Sequence, residues 1–383
     1  MANVEVNPIL LKWAIQRSGH LEAELEERFP KLQQWIAGNA LPSLNQLEKF
    51  SLFTYTPLGY FFLKVPPKEA FPIPLYRTLD SRQDFAEVSA NLLETVQVMQ
   101  VRQSWMREHL IERGENPLEF VKSVNINENV IDVAKHIRNT LKLRENWASC
   151  HSTWTAALDF LRETIEETGI LVVVNGIVGN NTHRKLDPVE FRGFVLVDEY
   201  APLLFVNGAD GKAAQMFTLA HELAHVFFGH SAAFDLRGSL PSEEFIEKKC
   251  DQVAAEILVP TNEFKYAWNE NKTNRDIFQI LARKFKVSEI VIARRALDLA
   301  FIDKQVFFNF YEHYQSQERK VKESQSSGGN FFASQKFRIG RRFAESIIIA
   351  TKEGSLLYSE AYRLTGLRGK TFDEFAHSIG YEV

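Results

Sequence analysis

One short string decides most of what this chain can be: His221-Glu222-Leu223-Ala224-His225, set inside an apolar run over residues 213–228. The apolar positions of that run recur at helical spacing, which predicts a helix. On a helix, histidines four residues apart leave from one face, so their ring nitrogens can share one tetrahedral ion. Glu222 then stands beside the ion without ligating it, where a carboxylate takes a proton from water and passes it to a leaving amine. Phe217, Leu219, Ala220, Ala224, Val226 and Phe227 make the helix apolar nearly all round, hence buried. Two buried histidines and a buried glutamate need a partner, and a cation supplies one. With 10 histidines in 383 residues, chance gives such a string on the order of 0.02 times per chain. The competing explanation, a solvated His-Glu-His face on a surface helix, is argued against by the apolar flanks.

Zinc hydrolases keep three protein ligands and one open position. The third ligand is expected from the next helix, residues 243–258, where Glu247 and Asp251 lie one turn apart, 22 and 26 residues after His225. Glu247 is the better ligand by reach. Asp251 is then placed to accept a hydrogen bond from a ligand histidine and orient it. Against this stands the plain reading of Glu247 as an exposed charge beside Lys248 and Lys249. His230, beyond Gly229, reads as a loop histidine, and Cys250 as a small buried residue of a packed helix. Two imidazoles and a carboxylate suit Zn²⁺ best, ahead of Mn²⁺ or Fe²⁺.

Length and composition bound the rest. At 383 residues, 45% hydrophobic and 25% charged, the chain is an ordinary globular sequence of two or three domains. A formal net charge of -4 excludes a uniformly basic nucleic-acid coat and bulk attraction to a membrane. Cys150 and Cys250 are the only cysteines, which excludes a disulfide framework and fits a reducing, cytoplasmic setting. No apolar run approaches membrane-spanning length, and the first residues show no basic-then-apolar pattern of a signal peptide.

Short helices are expected over residues 9–17, 21–29, 31–37 and 43–50, the last capped by Ser43. Pro66, Pro67, Pro72 and Pro74 make residues 64–80 an extended linker. Helical periodicity returns over 82–110, 130–143 and 153–168, followed by buried strands at 170–174, 193–197 and 203–207. Residues 176–192 and 231–242 read as loops. Three further helices are expected between 262 and 313, a polar linker over 315–330, and a helical module over 331–383. The fold class is therefore α+β and mostly helical. Its parts are a first helical domain (1–63), the linker (64–80), a metal-site domain (81–314, core about 150–310), the second linker and the C-terminal module.

The segments HELAHVFFGH and EKKCDQVAAEILVP, with the approach GFVLVDEYAPLLFVNGADGKAAQMFTLAHELAH, resemble the ImmA/IrrE family of metallopeptidases over roughly residues 150–310. The resemblance implies zinc held by His221, His225 and Glu247, with Glu222 as general acid/base. It also implies a gluzincin-like fold: a small sheet whose edge strand binds an extended substrate by β-augmentation, packed on two zinc helices. Residues 203–207 are the candidate edge strand. Residues 1–63 resemble the Xre-type helix-turn-helix often fused to this peptidase, which implies DNA contacts through Lys31, Gln33, Gln34 and Asn39. Two departures stand against DNA binding. The turn before Lys31 is only Phe29-Pro30, without a glycine. Residues 1–60 hold five basic side chains (Lys12, Arg17, Arg28, Lys31, Lys49) against six acidic ones, whereas phosphate neutralisation uses several cations on one face. In the tail, Lys336, Arg338, Arg341 and Arg342 form a basic cluster, read either as a solvated face or as a contact for nucleic acid or an acidic partner.

Two functions follow. The first is a cytosolic zinc endopeptidase that hydrolyses a peptide bond in a regulatory protein, a repressor or antitoxin. The second, from the resemblance, is an antitoxin or transcriptional repressor of a toxin–antitoxin pair, binding a toxin and operator DNA, with the metal site structural, regulatory or vestigial. Glu222 favours the first, because a structural zinc has no use for it. The partners implied are a protein or peptide substrate (repressor or cognate toxin), operator DNA and a second copy of the chain; no membrane is implied. Among auxiliary oxyanion donors, His183, Arg192, Tyr200 and His230 stay open.

Overall fold

The protein, seen here in a computed structural model, is described over residues 3–69, 71, 88–230, 232–234, 243–321 and 331–381. It divides into two units: Met1–Pro72 with Asp80–Gln97, and Ile73–Leu79 with Val98–Val383.

The first unit starts with α1, Pro8–Ser18, where Asn7 caps Ile9 N–H and Pro8 sits in the first turn. Next come α2, Glu22–Arg28, α3, Leu32–Ile36, and α4, Leu44–Phe53. Ser43 and Gln46 form a reciprocal capping box on α4. A 3₁₀ turn at Leu58–Phe62 follows. Leu10, Leu25, Leu32, Trp35, Leu47 and Phe50 close one core. The glycine-free turn between α2 and α3 is held by packing: Phe29 is buried there, its ring edge-on to Phe50 at 5.3 Å.

Helix α5, Ala90–Glu112, continues past the division. The second unit adds α6, Val130–Thr140, α7, Trp154–Glu167, and strands β1, Leu171–Asn175, β2, Ile177–Val178, β3, Asn181–Lys185, β4, Gly193–Leu196, and β5, Leu203–Asn207. Then follow α8, Lys212–Phe228, β6, Ala232–Phe234, and α9, Glu243–Leu258. The remaining helices are α10, Thr261–Asn271, α11, Ile277–Phe285, α12, Glu289–Asp298, α13, Lys304–Val321, α14, Phe331–Ile339, α15, Arg341–Lys352, α16, Tyr358–Thr365, and α17, Lys370–Ser378. No helix among the described residues is long and apolar enough to cross a membrane.

The main sheet runs β1-β5-β4-β6. β1 and β5 are parallel, while β4 pairs antiparallel with both β5 and β6. Its residues alternate as a pleat demands: Val195, Leu204 and Val206 join the core that contains α8, while Phe194 stacks on Phe205 at 4.8 Å. Helices α7 and α8 pack on the sheet, α9 on α8, and α6 on α9.

Several expectations need correcting. Leu203–Asn207 is not an edge strand: β5 is bonded on both sides, by β1 and by β4, so it offers no free row of backbone groups for a substrate. The edges of the described sheet are β1 and β6. The supposed loop 176–192 contains the β2–β3 hairpin, hidden because β3 (Asn-Thr-His-Arg-Lys) is polar and mostly exposed. The supposed loop 231–242 contains β6. Between α9 and the expected linker lie four helices, α10–α13, not three, and the last continues to Val321, seven residues into that linker. Beyond Tyr314 the apolar repeat stops, but Gln, Glu, Arg and Lys are good helix formers and carry the helix on. Residues 322–330 of that linker lie outside the described ones.

The C-terminal helices belong to the second unit. α14 and α15 lie against β1, and Gly340 sits so close that a Cβ would come within 2.7 Å of Val172 O; its φ is +85°, which also favours glycine. From α5, Arg102 donates to Leu364 O and Arg338 O, and Gln103 to Leu196 O and Ala201 O. Both sheet and tail are thereby tied to one helix.

Candidate metal centre

Helix α8 is buried on every side. From Met216 to Phe228 all residues but Phe217 are buried, and Gly229, in the left-handed region, ends it. His221 and His225 thus leave one face of a helix with no solvent around it. α9 supplies the facing wall through Cys250, Val253, Ala254 and Ile257, all fully buried.

On that wall the structure brings Glu247 to both histidines. His221 Nε2 lies 3.1 Å from Glu247 Oε2, His225 Nε2 lies 3.1 Å from Glu247 Oε1, and the two Nε2 atoms are 3.1 Å apart. Four ligands at zinc's usual bond lengths of about 2.0–2.1 Å have neighbours about 3.3 Å apart. The three donors therefore already stand close to one face of such a tetrahedron, and they are the only such group of His, Cys, Asp or Glu found among the described residues. Asp251 Oδ1 is 2.9 Å from His221 Nδ1, an arrangement that turns Nε2 toward the centre.

The electrostatics favour positive charge at this cluster. Burial by itself would lower His221, yet its hydrogen bonds to Asp251 and Glu247 lift it to about 10. Burial by itself would raise Glu247, yet the two histidines hold it at about 2. Burial lowers His225, partly offset by Glu247. Positive charge is thus stabilised at the centre of the cluster, which a divalent ion supplies without a proton. Glu222 is fully buried, and neither carboxylate oxygen has a hydrogen-bond partner among the described residues. Burial pushes its pKa well above the ordinary carboxylate range. A buried, unpartnered carboxylate beside a cation-seeking cluster is costly on its own, and its chemistry fits a water and an ion nearby.

Glu222 is positioned by a residue the sequence reading missed. A Cβ on Gly193 of β4 would meet Thr218 Cγ2 at 2.6 Å, Phe205 O at 2.8 Å and Glu222 Oε1 at 3.1 Å. β4 can lie this close to α8 only because residue 193 has no side chain. The signal was present only as a glycine opening an apolar strand.

The other residues singled out are not among the converging ligands, although His230 lies close enough to His225 to act on its charge. Arg192 pairs with Asp210 at 3.5 Å, Tyr200 lies under the Arg107 guanidinium, and His183 and His230 are exposed. Lys31, Gln33, Gln34 and Asn39 are exposed on α3 and the turn after it, but the Gln33 amide is bound by Glu22 and Glu26 at 2.9 and 2.8 Å. The basic cluster of the tail is not one patch. Lys336 pairs with Glu163, Arg341 pairs with Glu345, and Arg338 lines a cavity.

Fold and site together define a mostly helical α+β domain with a buried His–His–Glu cluster on two packed helices, next to a buried carboxylate. Residues 165–297 match the family model of the IrrE N-terminal-like domain, a peptidase family, which supports the ImmA/IrrE resemblance for that part of the chain. The match runs from α7 to α12 and contains the sheet, α8 and α9. Residues 339–378 match a domain of unknown function, DUF8813, that begins at the end of α14. No curated protein and no solved structure matches the chain significantly.

Proposed function

We propose that the protein is a zinc-dependent endopeptidase acting on a regulatory protein in the cytoplasm, with His221, His225 and Glu247 as metal ligands and Glu222 as general base. The observation that carries this reading is the conjunction at α8 and α9: three ligand atoms converge beside a carboxylate with no hydrogen-bond partner among the described residues. When bound, the zinc supplies Lewis-acid polarisation of a carbonyl and a water acidic enough to react near neutral pH. The chain's own groups do the rest. Glu247 and the two imidazoles hold the ion, and Asp251 keeps His221 turned toward it. Glu222, with no competing hydrogen bond among the described residues, takes the proton from water and returns it to the leaving nitrogen. The apolar walls around α8 keep bulk water from these groups, which strengthens every charge interaction among them.

The antitoxin or repressor reading draws less support. Gln33 of α3, expected to meet DNA, is bonded instead to Glu22 and Glu26 of α2, and carboxylates repel phosphate.

Elemental analysis tests the proposal. About one zinc per chain is expected in the wild type and near none in Glu247→Ala. Glu222→Gln is expected to keep the metal and to lower cleavage of a protein target by about 10²–10⁴-fold, the usual worth of a positioned general base. Full cleavage by Glu222→Gln sinks the mechanism, and a metal-free wild type after zinc is offered sinks the reading.

A further inference from the structure

At the opposite end of α8 lies a second feature. A cavity of about 210 Å³ opens where the parallel strands β1 and β5 end, bounded by α7, the start of α8 and α14 of the tail. The crevice beyond the carboxyl ends of parallel strands is where open sheets hold ligands. Here the strand leads into the helix through Gly208-Ala209-Asp210-Gly211-Lys212. Gly211, at the N-cap, offers no side chain to the first turn, so the N–H groups of Lys212, Ala213 and Ala214 have no acceptor within the helix. The helix dipole adds positive potential at the same place.

The side chains repeat the sign. Arg162, Lys212 and Arg338 line the cavity against one acid, Asp159. Arg162 is 1% exposed. Its Nη1 is bound by Glu166 and its Nη2 by Glu163, but its Nε, buried in the cavity wall, has no hydrogen-bond partner among the described residues. A buried guanidinium N–H left unmade costs free energy, and an acceptor in the cavity removes that cost. Phe337 of α14 covers the Arg162 guanidinium at 4.8 Å, so the tail completes the wall. Arg338 is half-buried and burial lowers its pKa, while Lys212, at the exposed start of α8, has its pKa lowered by partial burial and partly restored by Asp159.

We propose that this cavity binds a small anion, a phosphate or a carboxylate, held by Lys212, Arg338 and Arg162 Nε, with the positive end of the α8 dipole adding to the attraction. The site is separate from the metal centre: Lys212 and His221 are nine residue steps apart along the helix, about 13.5 Å at 1.5 Å per residue. Because α14 forms one wall, the anion bridges the tail to the sheet.

Isothermal titration of the full chain at constant ionic strength tests this, with inorganic phosphate in one arm and malonate in the other, on wild type, Lys212→Met, Arg338→Met and Lys336→Met. The expected result is one anion per chain whose affinity falls at least about tenfold in each of the first two variants, as loss of a charge-assisted hydrogen bond predicts, and is unchanged in Lys336→Met. An anion sitting on the metal would not distinguish these variants. Should a methionine variant fail to fold, Lys212→Gln replaces it. Saturation by phosphate alone assigns a phosphate site, and by malonate alone a carboxylate site. If neither probe saturates below about 10 mM, or if Lys212→Met and Arg338→Met bind like the wild type, the proposal is overturned.

Discussion

Helix α8 carries two polar regions, one at each end, and they are built in opposite ways. Toward the C-terminus, His221, Glu222 and His225 come from one turn of one helix, and only Glu247 and Asp251 are brought from α9. At the N-terminus, Arg162 comes from α7, Lys212 from α8, Arg338 from α14, and the backbone ends of β1 and β5 close the floor. The first is fixed by the pitch of a helix, so its spacing is written in the sequence. The second exists only after five elements have packed, and nothing in residues 162, 212 and 338 announces that they will meet. Charge handling differs too. At the metal end Glu247 is stabilised as a carboxylate, at about 2. Behind the cavity, burial outweighs the Arg162 pair and raises Glu166 to about 7.

That contrast gives the largest expected effect on stability. Glu166 is protonated in the folded chain at pH values where it is ionised when unfolded, so folding takes up a proton between about 4.5 and 7. Stability from this group is fully present below about pH 4.5 and is lost as pH rises through about 7. The shift corresponds to about 3 kcal/mol. Urea unfolding of the wild type against Glu166→Gln, from pH 4.5 to 7.5, should show the wild type losing stability relative to the variant as pH rises. The subtraction is needed because Glu222, also raised by burial, moves in the same direction. In metal-stripped protein the other groups of the metal end act in different windows: Glu247 below about 4.5, His221 above about 6.5. A flat difference curve would mean that Arg162 keeps Glu166 ionised, and the two ends would then handle charge alike.

The next effect probes how α8 is seated. Gly193→Ala drives a methyl into Thr218, Phe205 O and Glu222. Overpacking of this kind costs about 1–3 kcal/mol, read as a lower urea midpoint. Cleavage should fall further than zinc content does, since the methyl meets Glu222 and none of the three ligands. Equal losses of both would show that β4 seats the whole helix and does not selectively position the base.

Much of the fold was legible for the same reason as the metal end. Residues 130–140, 154–167 and 212–228 repeat apolar side chains at helical spacing, and β1 and β5 are runs of buried apolar residues. The failures share a cause. β3 is stabilised by its partner β2 and not by an apolar face, and the end of α13 is a run of polar helix formers, so neither leaves an apolar periodic trace. Strand order was also illegible. That β5 is central and β1 lies under the tail follows from crossover connections, which no local pattern encodes. At the site, Gly193 was missed because closeness of β4 to α8 is a tertiary fact. The tail's basic cluster was visible as composition, but its division among Glu163, Glu345 and the cavity was not.

The smallest effect bears on whether the metal end is set by hydrogen bonding or by packing. Asp251 accepts from His221 Nδ1 at 2.9 Å, yet its own side chain is 44% exposed, while the His221 ring is fully buried among apolar neighbours. Asp251→Asn keeps an acceptor oxygen and removes the charge. If the carboxylate orients the ring and raises its basicity, zinc affinity by chelator competition should drop about 10–100-fold, as for other partners of ligand histidines. That is well short of the loss expected in Glu247→Ala. Wild-type affinity would instead mean that the walls of α8 and α9 hold the ring unaided. The residue pattern of α8 would then account for the His221 orientation by itself, and the two ends of the helix would differ even more sharply: one set by its own pitch and packing, the other by five elements meeting.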